Sequence, residues 1–374
     1  MTKFVCPYCM QDYKKKEAVY ACTDCGEIVT EMGMFEKRVK CLQEGCRGMI
    51  ALRKCKHDDC DTRIHRDLKI PTAVLQTPNL PFSIVGVKGS GKTNYITVML
   101  EELKKNNGLR LALSHQDMQT KDHHERHRNM IYEERMPPPG TMPGERPMPQ
   151  VWSIKNVPKQ TRKGTPTYTF TIFDGAGEDH ERIEPNSPLA RYIDISKAIL
   201  FVLDPLTLSS IRRNGIVDQK VFEDSGGGII QGAVTASNII DDIARYIRDM
   251  SPRLKSGSIL KIPVAVVLAK FDTVWNHPAF GSSAQVRSKK LTISNGKIST
   301  SEIDMVHAEI EHWLHEIGEG DLITTLDANF KTYKLFGVSS YGSPPQGANR
   351  LNTPDPHRVL DPIFWMFKNE KFID

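Results

Sequence analysis

A glycine-rich segment between an apolar run and a helical pattern constrains this chain more than any other feature. Residues 81–87 are mostly apolar and lead into Gly86-Val87-Lys88-Gly89-Ser90-Gly91-Lys92-Thr93, which has the spacing G-x-x-x-x-G-K-T. Glycines let the backbone fold closely around a polyphosphate, so that successive N–H groups and the positive end of the following helix face anionic oxygens. The segment therefore predicts a strand, a phosphate-binding loop and a helix, with a nucleotide held on the loop.

Two side chains of this loop have predicted chemical roles. Lys92 is expected to reach the β and γ phosphates and to stabilise the charge that develops there, and the Thr93 hydroxyl is expected to bind Mg²⁺. The other predicted nucleotide contacts in the loop are Gly86, Lys88, Gly89, Ser90 and Gly91.

Polar residues follow two of the later apolar runs. The alternating stretch 167–173 opens into Asp174-Gly175-Ala176-Gly177, where Asp174 is expected to hold Mg²⁺ and the Gly177 N–H to approach a γ-phosphate. The run 262–269 leads into Lys270-Phe271-Asp272, so that the strand end reads Ala269-Lys270-Phe271-Asp272. Because the carboxyl ends of parallel strands form the ligand crevice, we expect Asp272 to accept from two guanine N–H groups beneath the Lys270 stem.

The order of apolar runs and helical patterns predicts the fold class. Residues 198–204 and 262–269 are predicted to form strands buried on both faces of a parallel sheet, and Ser301 to Asp304 is predicted to be a capping box for an amphipathic helix. We expect a doubly wound, mostly parallel α/β domain over residues 80–374, preceded by a linker at 66–79. Residues 136–150 contain six prolines and are expected to form a mobile loop.

All eight cysteines lie between residues 6 and 60, which is the pattern of structural zinc sites and not of disulfides in a reducing compartment. Cys6-x2-Cys9 and Cys22-x2-Cys25 are expected to share one zinc ion. The longer knuckles Cys41-x4-Cys46 and Cys55-x4-Cys60 are expected to share a second. His57 and His65 are alternative ligands, although surface histidines are the simpler interpretation. The predicted double zinc-ribbon module spans residues 1–65.

The net charge of this module indicates which class of partner it would bind. Residues 1–70 carry 14 Lys and Arg against 11 Asp and Glu, and two zinc-tetrathiolate centres would bring the balance close to neutral. This favours protein docking over nucleic acid. The net charge of +5 for the whole chain is too weak to indicate nucleic acid or a membrane. With no long apolar segment, the expected location is the cytoplasm.

The polar segment 115–135 begins at His115 and contains three further histidines, His123, His124 and His127. His123 and His127 are four residues apart and would share one helical face, as metal ligands can, but a solvated histidine-rich helix is the simpler expectation for them.

The motifs at Gly86–Thr93, Asp174–Gly177 and Ala269–Asp272, followed by Ser339-Ser340, resemble those of translation-factor-type P-loop GTPases in order and position. The resemblance covers about 290 residues, from Leu80 to the end. It implies GTP or GDP with Mg²⁺ as ligands, and it adds Ser339 and Ser340 to the nucleotide site. Most members carry Asn or Thr where this chain has Ala269, which implies the loss of a side-chain hydrogen bond that braces the base pocket. Guanine preference would then rest chiefly on Asp272.

The resemblance also implies catalytic residues. Thr141 is the match for the threonine that closes over Mg²⁺ in the first switch loop, and Glu178 occupies the place of a water-orienting Gln or His. A carboxylate there repels phosphate, so slow turnover is expected. His180 is a reserve for Glu178. An activating arginine would come from a partner; Arg182 or Arg191 could serve within the chain, although surface arginines are the simpler interpretation.

A double zinc ribbon before a GTPase with a proline-rich first switch is also similar to the bacterial double-GTPase family of predicted conflict and defence gene clusters. This resemblance implies a regulatory GTPase switch with a partner GTPase-like or effector protein. Two alternatives stay open: a nucleotide-binding interaction protein without hydrolysis, and a nucleic-acid-dependent zinc-ribbon NTPase.

Overall fold

The N-terminal part of the chain folds as short strands around the cysteines. The computed structural model describes residues 3–14, 17–29, 39–41, 43–65, 68–71, 74–75, 77, 79–86, 89–105, 108–140, 149–155, 167–174, 188–224, 235–250, 255–256 and 259–373. The first elements are β1 (Lys3–Val5), β2 (Asp12–Lys14), β3 (Val19–Cys22), β4 (Ile28–Val29), β5 (Val39–Lys40), β6 (Met49–Lys54) and the short helix α1 (Asp61–Ile64). Strands β1 and β2 form a hairpin, and β4-β3-β6-β5 form a four-stranded antiparallel sheet.

A seven-stranded sheet forms the larger part of the molecule, in the order β17-β14-β11-β7-β10-β9-β8. Among the described strands of this sheet, β9 alone runs opposite to the other six, as predicted for a mostly parallel sheet. The chain order is β7 (Asn79–Val85), α2 (Lys92–Lys104), β8 (Ala112–His115), α3 (Met118–Asn129) with a π-helical turn (Met130–Glu134), β9 (Gln150–Lys155), β10 (Tyr168–Asp174), α4 (Pro188–Ile195) and β11 (Ala198–Leu203).

The second half of the chain extends the sheet on the other side of β7. It comprises α5 (Ser209–Asn214), α6 (Gln219–Asp224), α7 (Ala236–Met250), β12 (Lys255–Ser256), β13 (Ile259–Leu260), β14 (Val264–Leu268), β15 (Ile293–Ser294), β16 (Lys297–Ile298), α8 (Thr300–Glu316), α9 (Gly320–Asn329), β17 (Tyr333–Gly337) and α10 (Asp361–Asn369). Since β10 and β11 flank β7 on opposite sides, the strand order reverses at β7. A doubly wound sheet binds ligands at such a reversal.

Apolar side chains pack on both faces of this sheet. One cluster joins α2 and α10 to the sheet, and the other joins α7, α8 and α9 to the opposite face. The predicted apolar stripe of α8 is confirmed, because Ile303, Val306, Ile310, Trp313 and Leu314 are buried. No helix in the described part of the chain has the length and apolar character needed to cross a membrane.

Two local expectations are wrong. Helix α8 is capped by Ser299, whose side chain accepts from the Glu302 N–H, and not by Ser301. The histidine-rich helix α3 is not solvated on all sides, because His124 is 2% exposed and His127 8%. His124 packs edge-on against Trp152 of β9, and its Nε2 lies 2.6 Å from the Glu101 carboxylate. The helix therefore lies against the sheet.

Candidate nucleotide-binding and metal sites

The predicted phosphate-binding loop lies where β7 meets α2, at the reversal of strand order. Gly89 and Gly91 have φ values of 74° and 87°, in the left-handed region that side chains disfavour. A Cβ at Gly86 would lie 2.2 Å from the Val202 carbonyl oxygen of β11. The loop is thus held against the neighbouring strand by a contact that only glycine permits. The predicted approach of the glycines to a polyphosphate stays a prediction.

The polar groups of the loop point inward. Lys92 is 6% exposed, and its Nζ donates to the Gly86 carbonyl oxygen at 2.8 Å, across the turn of the loop. The Ser90 Oγ is buried without a hydrogen-bond partner among the described residues. A cradle closed to side chains, a lysine folded over it and an unsatisfied hydroxyl fit a bound polyphosphate.

The remaining predicted phosphate and Mg²⁺ residues are only partly described. Thr93 lies in the first turn of α2. Asp174 ends β10 and pairs in register with Ile84 of β7, so its backbone reaches the same edge of the sheet. Lys88, Thr141, Gly177 and Glu178 lie outside the described residues, as do His180 and Arg182. Their assignments stay predictions.

The predicted base-binding residues come together on adjacent strands. Lys270 and Asp272 follow β14, Ser339 and Ser340 follow β17, and the Phe271 N–H donates to the Val338 carbonyl across the two loops. Burial raises the pKa of the Asp272 carboxyl, and a hydrogen bond from the Ser339 side chain opposes this rise. A cavity of about 450 Å³ adjoins Asp272.

The sequence analysis missed Asp204, the residue after β11. Asp204 is 3% exposed; its Oδ1 accepts from the Leu206 N–H at 2.9 Å and its Oδ2 accepts from Lys270 Nζ at 2.6 Å. Burial raises the pKa of this carboxyl, and the Lys270 ammonium opposes the rise. A signal was present, since Asp204 ends an apolar strand just as Asp174 does.

The cysteines form two groups, but the predicted pairing of knuckles is wrong. Strands β3 and β6 are antiparallel, with Val19 opposite Lys54 and Cys22 opposite Ile50. The cysteines from the end of β3 to the start of β6 therefore lie together, and the cysteines before β3 meet those after β6. The inner site consists of Cys22, Cys25, Cys41 and Cys46; the outer site consists of Cys6, Cys9, Cys55 and Cys60.

Both groups fit a zinc ion. Their Sγ atoms lie within 4.8 Å of one another, and the closest pairs are 3.5 to 3.7 Å apart. A tetrahedral ion with Zn–S bonds of about 2.3 Å requires sulfurs about 3.8 Å apart. Four cysteines complete each site without His57, whose backbone N–H donates to the Cys55 Sγ instead, and without His65.

The outer site lies against the larger sheet. Tyr8, between Cys6 and Cys9, is 4% exposed, and its hydroxyl donates to the Asp117 carboxylate at 3.0 Å. The other oxygen of Asp117 caps α3 through the Thr120 N–H. The outer cysteines share one apolar cluster with Val151 of β9 and with Leu68, Ile70, Val74 and Leu75 from the predicted linker.

A second contact joins the N-terminal module to α4. The Asp59 carboxylate lies 3.5 Å from the Arg191 guanidinium of that helix, so Arg191 faces the module in this structure. Met10 belongs to the same apolar cluster as Phe173 and Tyr192. The outer cysteine site is therefore flanked by contacts to α3 and to α4, the helices that precede residues 141–148 and follow residues 175–187.

Comparisons with known proteins agree with this fold. The family model described as Double-GTPase 2 matches residues 81–325, about two thirds of the chain. SaeC of Mycolicibacterium smegmatis, provisionally described as an ESX-1 scaffolding and assembly protein, is 23% identical over 214 residues. The match covers 53% of this chain and 50% of SaeC, so the chain spans about half the length of this relative.

Two solved GTPase structures were also matched. The Arl6 (BBS3) small GTPase of Trypanosoma brucei, bound to the nucleotide analogue GppNp, shares 12% identity over 78% of this chain and 96% of its own, with a TM-score of 0.31. The Ski7 GTPase-like domain of S. cerevisiae, bound to GDP and inorganic phosphate, shares 14% identity over 79% and 50%, with a TM-score of 0.33. Because the identities and TM-scores are this low, no site residue is assigned from these structures.

Proposed function

Since the chain belongs to the Double-GTPase 2 family, we propose that it is a Mg²⁺-dependent GTPase switch whose nucleotide state is coupled to a docked zinc module. The observation that carries the proposal is the loop at β7–α2, with Lys92 folded over a glycine cradle at the point where the strand order reverses. In a reducing cytoplasm the cysteines of the zinc module would stay reduced and bind zinc as thiolates.

In the proposed reaction, water attacks the γ-phosphate of GTP. Lys92 exchanges its hydrogen bond to Gly86 for phosphate oxygens and stabilises the developing charge. Thr93, Thr141 and Asp174 would hold Mg²⁺, which supplies further charge stabilisation when bound. The Gly177 N–H would hold the γ-phosphate and Glu178 would orient the water. Because Glu178 is itself anionic, intrinsic turnover should be slow.

Base selection is proposed to depend on Asp272. Its position beside Lys270 and the Ser339-Ser340 turn, on two adjacent strand ends, supports a guanine site. An ionised Asp272 accepts from both N–H groups on the guanine edge, whereas adenine presents no such pair of donors. Removing one acceptor from this pair should weaken GTP binding more than ATP binding.

Coupling to the zinc module is supported by its two contacts with the larger sheet. Tyr8 bonds to the cap of α3, and Asp59 reaches Arg191 on α4. In GTPase switches the loops that contact the γ-phosphate are ordered by GTP and released after hydrolysis. The corresponding segments here would lie at residues 136–150 and 174–187, next to α3 and α4, so that their rearrangement would alter the outer zinc site's surroundings.

A protein partner is part of the proposal. The description of SaeC as a scaffolding and assembly protein supports a role in protein assembly, with the zinc module or the switch loops as the contact surface. Two zinc-tetrathiolate centres would bring the charge of residues 1–70 close to neutral, which also favours a protein over a nucleic acid as the partner.

Single-turnover hydrolysis tests the reaction. Zinc-loaded protein in excess over labelled GTP and Mg²⁺ should release phosphate faster than solution hydrolysis, and Lys92→Ala should abolish this release. Tight GTP binding without phosphate release would instead identify a nucleotide-binding interaction protein. Release that rises with RNA or DNA and falls steeply with salt would identify a nucleic-acid-dependent NTPase.

Coupling has its own matched pair of variants. Cys55→Ser removes a ligand of the outer site, and Cys41→Ser removes one from the inner site, whose described residues share no hydrogen bond, ion pair or apolar cluster with α3 or α4. We expect Cys55→Ser to change the GDP dissociation rate at least fivefold, as a coupling of about 1 kcal/mol requires, and Cys41→Ser to leave it within twofold. Equal effects of the two variants would refute coupling through the outer site.

A further inference from the structure

Lys270 has an unfavourable backbone conformation that its surroundings must maintain. Its φ and ψ are 51° and 31°, in the left-handed region that non-glycine residues avoid. The carbonyl oxygen of Lys270 accepts from the Thr273 hydroxyl and N–H, and the next residue is tied to β17. The residue before it is Ala269, whose methyl group offers no hydrogen bond. The restraint on the Lys270 side chain must therefore come from elsewhere.

Asp204 provides that restraint from the neighbouring strand. The Ala269 N–H donates to the Leu203 carbonyl at 2.8 Å, which brings the ends of β14 and β11 together. One Asp204 oxygen is fixed by the Leu206 N–H, and the other accepts from Lys270 Nζ. The carboxylate is buried, whereas the Lys270 side chain is 28% exposed, so the lysine stem stays accessible to a ligand while its ammonium is anchored.

We propose that Asp204 is a positioning residue for nucleotide-base recognition, which anchors Lys270 across the base site in place of a side-chain brace at residue 269. The proposal rests on the proposed guanine site and deepens it. Asp204 acts on the base through Lys270 and makes no contact with the phosphates, which are bound by the loop at Gly86–Thr93. Its loss should therefore weaken binding of a nucleoside triphosphate without weakening binding of a bare polyphosphate.

An ion pair that only stabilises the fold would behave differently. Its removal would lower the free energy of unfolding, and any effect on ligands would be shared by all of them. A positioning role instead requires that the effect of Asp204 depends on Lys270 and on the base. It also predicts that a hydrogen-bonding side chain at residue 269 restores part of the GTP affinity that the loss of Asp204 removes.

The test measures dissociation constants for a non-hydrolysable GTP analogue and for inorganic tripolyphosphate, both with Mg²⁺. Asp204→Ala should weaken the GTP analogue about 10- to 100-fold, the range expected for a lost charged hydrogen bond, and leave tripolyphosphate within about twofold. Asp204→Asn keeps the side-chain shape and the acceptor for Leu206, so it should fold even where the alanine variant does not, and should weaken the analogue by about 3- to 10-fold.

Two further variants test the route through Lys270. In a Lys270→Met background, Asp204→Ala should cause no additional loss of GTP affinity, because the anchored group is already absent. The double variant Asp204→Ala with Ala269→Asn should recover at least part of the lost affinity relative to Asp204→Ala alone, with Ala269→Asn alone as the reference.

Different failures have different meanings. If the wild type prefers GTP over ATP but the Asp204 variants bind the GTP analogue normally, the role of Asp204 is refuted and the guanine site stands. Equal weakening of the analogue and of tripolyphosphate also refutes it, because the effect is then not on the base. A wild type with no preference for GTP over ATP overturns the guanine site and this role together.

Discussion

Replacing Tyr8 by Phe removes one hydroxyl from the contact between the outer zinc site and the larger sheet. The hydroxyl donates to the Asp117 carboxylate at 3.0 Å, and the ring, 4% exposed, would keep its place in the outer cluster. A hydrogen bond to a charged acceptor contributes about 1.5–3 kcal/mol. Asp117 is partly exposed, so water would replace part of the bond. We therefore expect Tyr8→Phe to lower the free energy of unfolding by roughly 1.5 kcal/mol.

The assay is urea unfolding of the zinc-loaded protein, followed in parallel by circular dichroism and by zinc release to a chromogenic chelator. Tyr20→Phe is the matched control, because Tyr20 lies in the same module and its hydroxyl makes no hydrogen bond with any residue that the structure describes. The control should change the free energy by less than about 0.5 kcal/mol. Equal changes in the two variants, or a change below 0.5 kcal/mol in Tyr8→Phe, would refute the view that this bond holds the module in place.

Three further predictions concern the loop, the zinc ligands and pH. Gly86→Ala would place its Cβ 2.2 Å from a backbone oxygen, so it should weaken nucleotide binding more than tenfold and lower the free energy of unfolding by about 1–3 kcal/mol. Gly281→Ala, which has open space around it, should change neither quantity. Nucleotide titration measures the first effect and urea unfolding the second. Cys6→Ser/Cys55→Ser should retain one zinc per chain and Cys6→Ser/Cys22→Ser none by elemental analysis; the reverse result would restore the pairing predicted from the sequence. Burial and the neighbouring His123 lower the pKa of His127 to about 4 in the folded state. The free energy of unfolding should therefore fall by up to about 3 kcal/mol as the pH drops from about 6.5 to about 4. His127→Gln should reduce this loss in pH-dependent urea unfolding, and a pH profile unchanged from that of the wild type would contradict the prediction.

The glycine-rich loop between β7 and α2 was predictable because its sequence pattern is local. Residues 79–93 supply the apolar strand, Gly86 at a position where a Cβ would meet a backbone oxygen, and the lysine that folds over the loop. The ends of β14 and β17 were likewise predictable, since a run of apolar residues followed by Lys270 and Asp272 specifies both a buried strand and its polar end.

Contacts that depend on strand pairing were not predictable in the same way. Knuckle spacing identifies zinc ligands but not which knuckles share an ion, and here the antiparallel pairing of β3 with β6 decides it. The ion pair of Asp204 with Lys270 follows from β11 lying beside β14, and the burial of His124 follows from Trp152 on a strand that comes later in the chain. These three features needed tertiary information that spacing and periodicity do not contain.

The most direct test of the guanine switch is the affinity of the purified, zinc-loaded protein for non-hydrolysable GTP and ATP analogues in one Mg²⁺ buffer. The wild type should bind the GTP analogue at least tenfold more tightly, and Asp272→Asn should remove this preference while tripolyphosphate binding stays unchanged. Equal affinity for the two analogues, or a preference for ATP, would contradict the guanine site and with it the proposed GTPase switch.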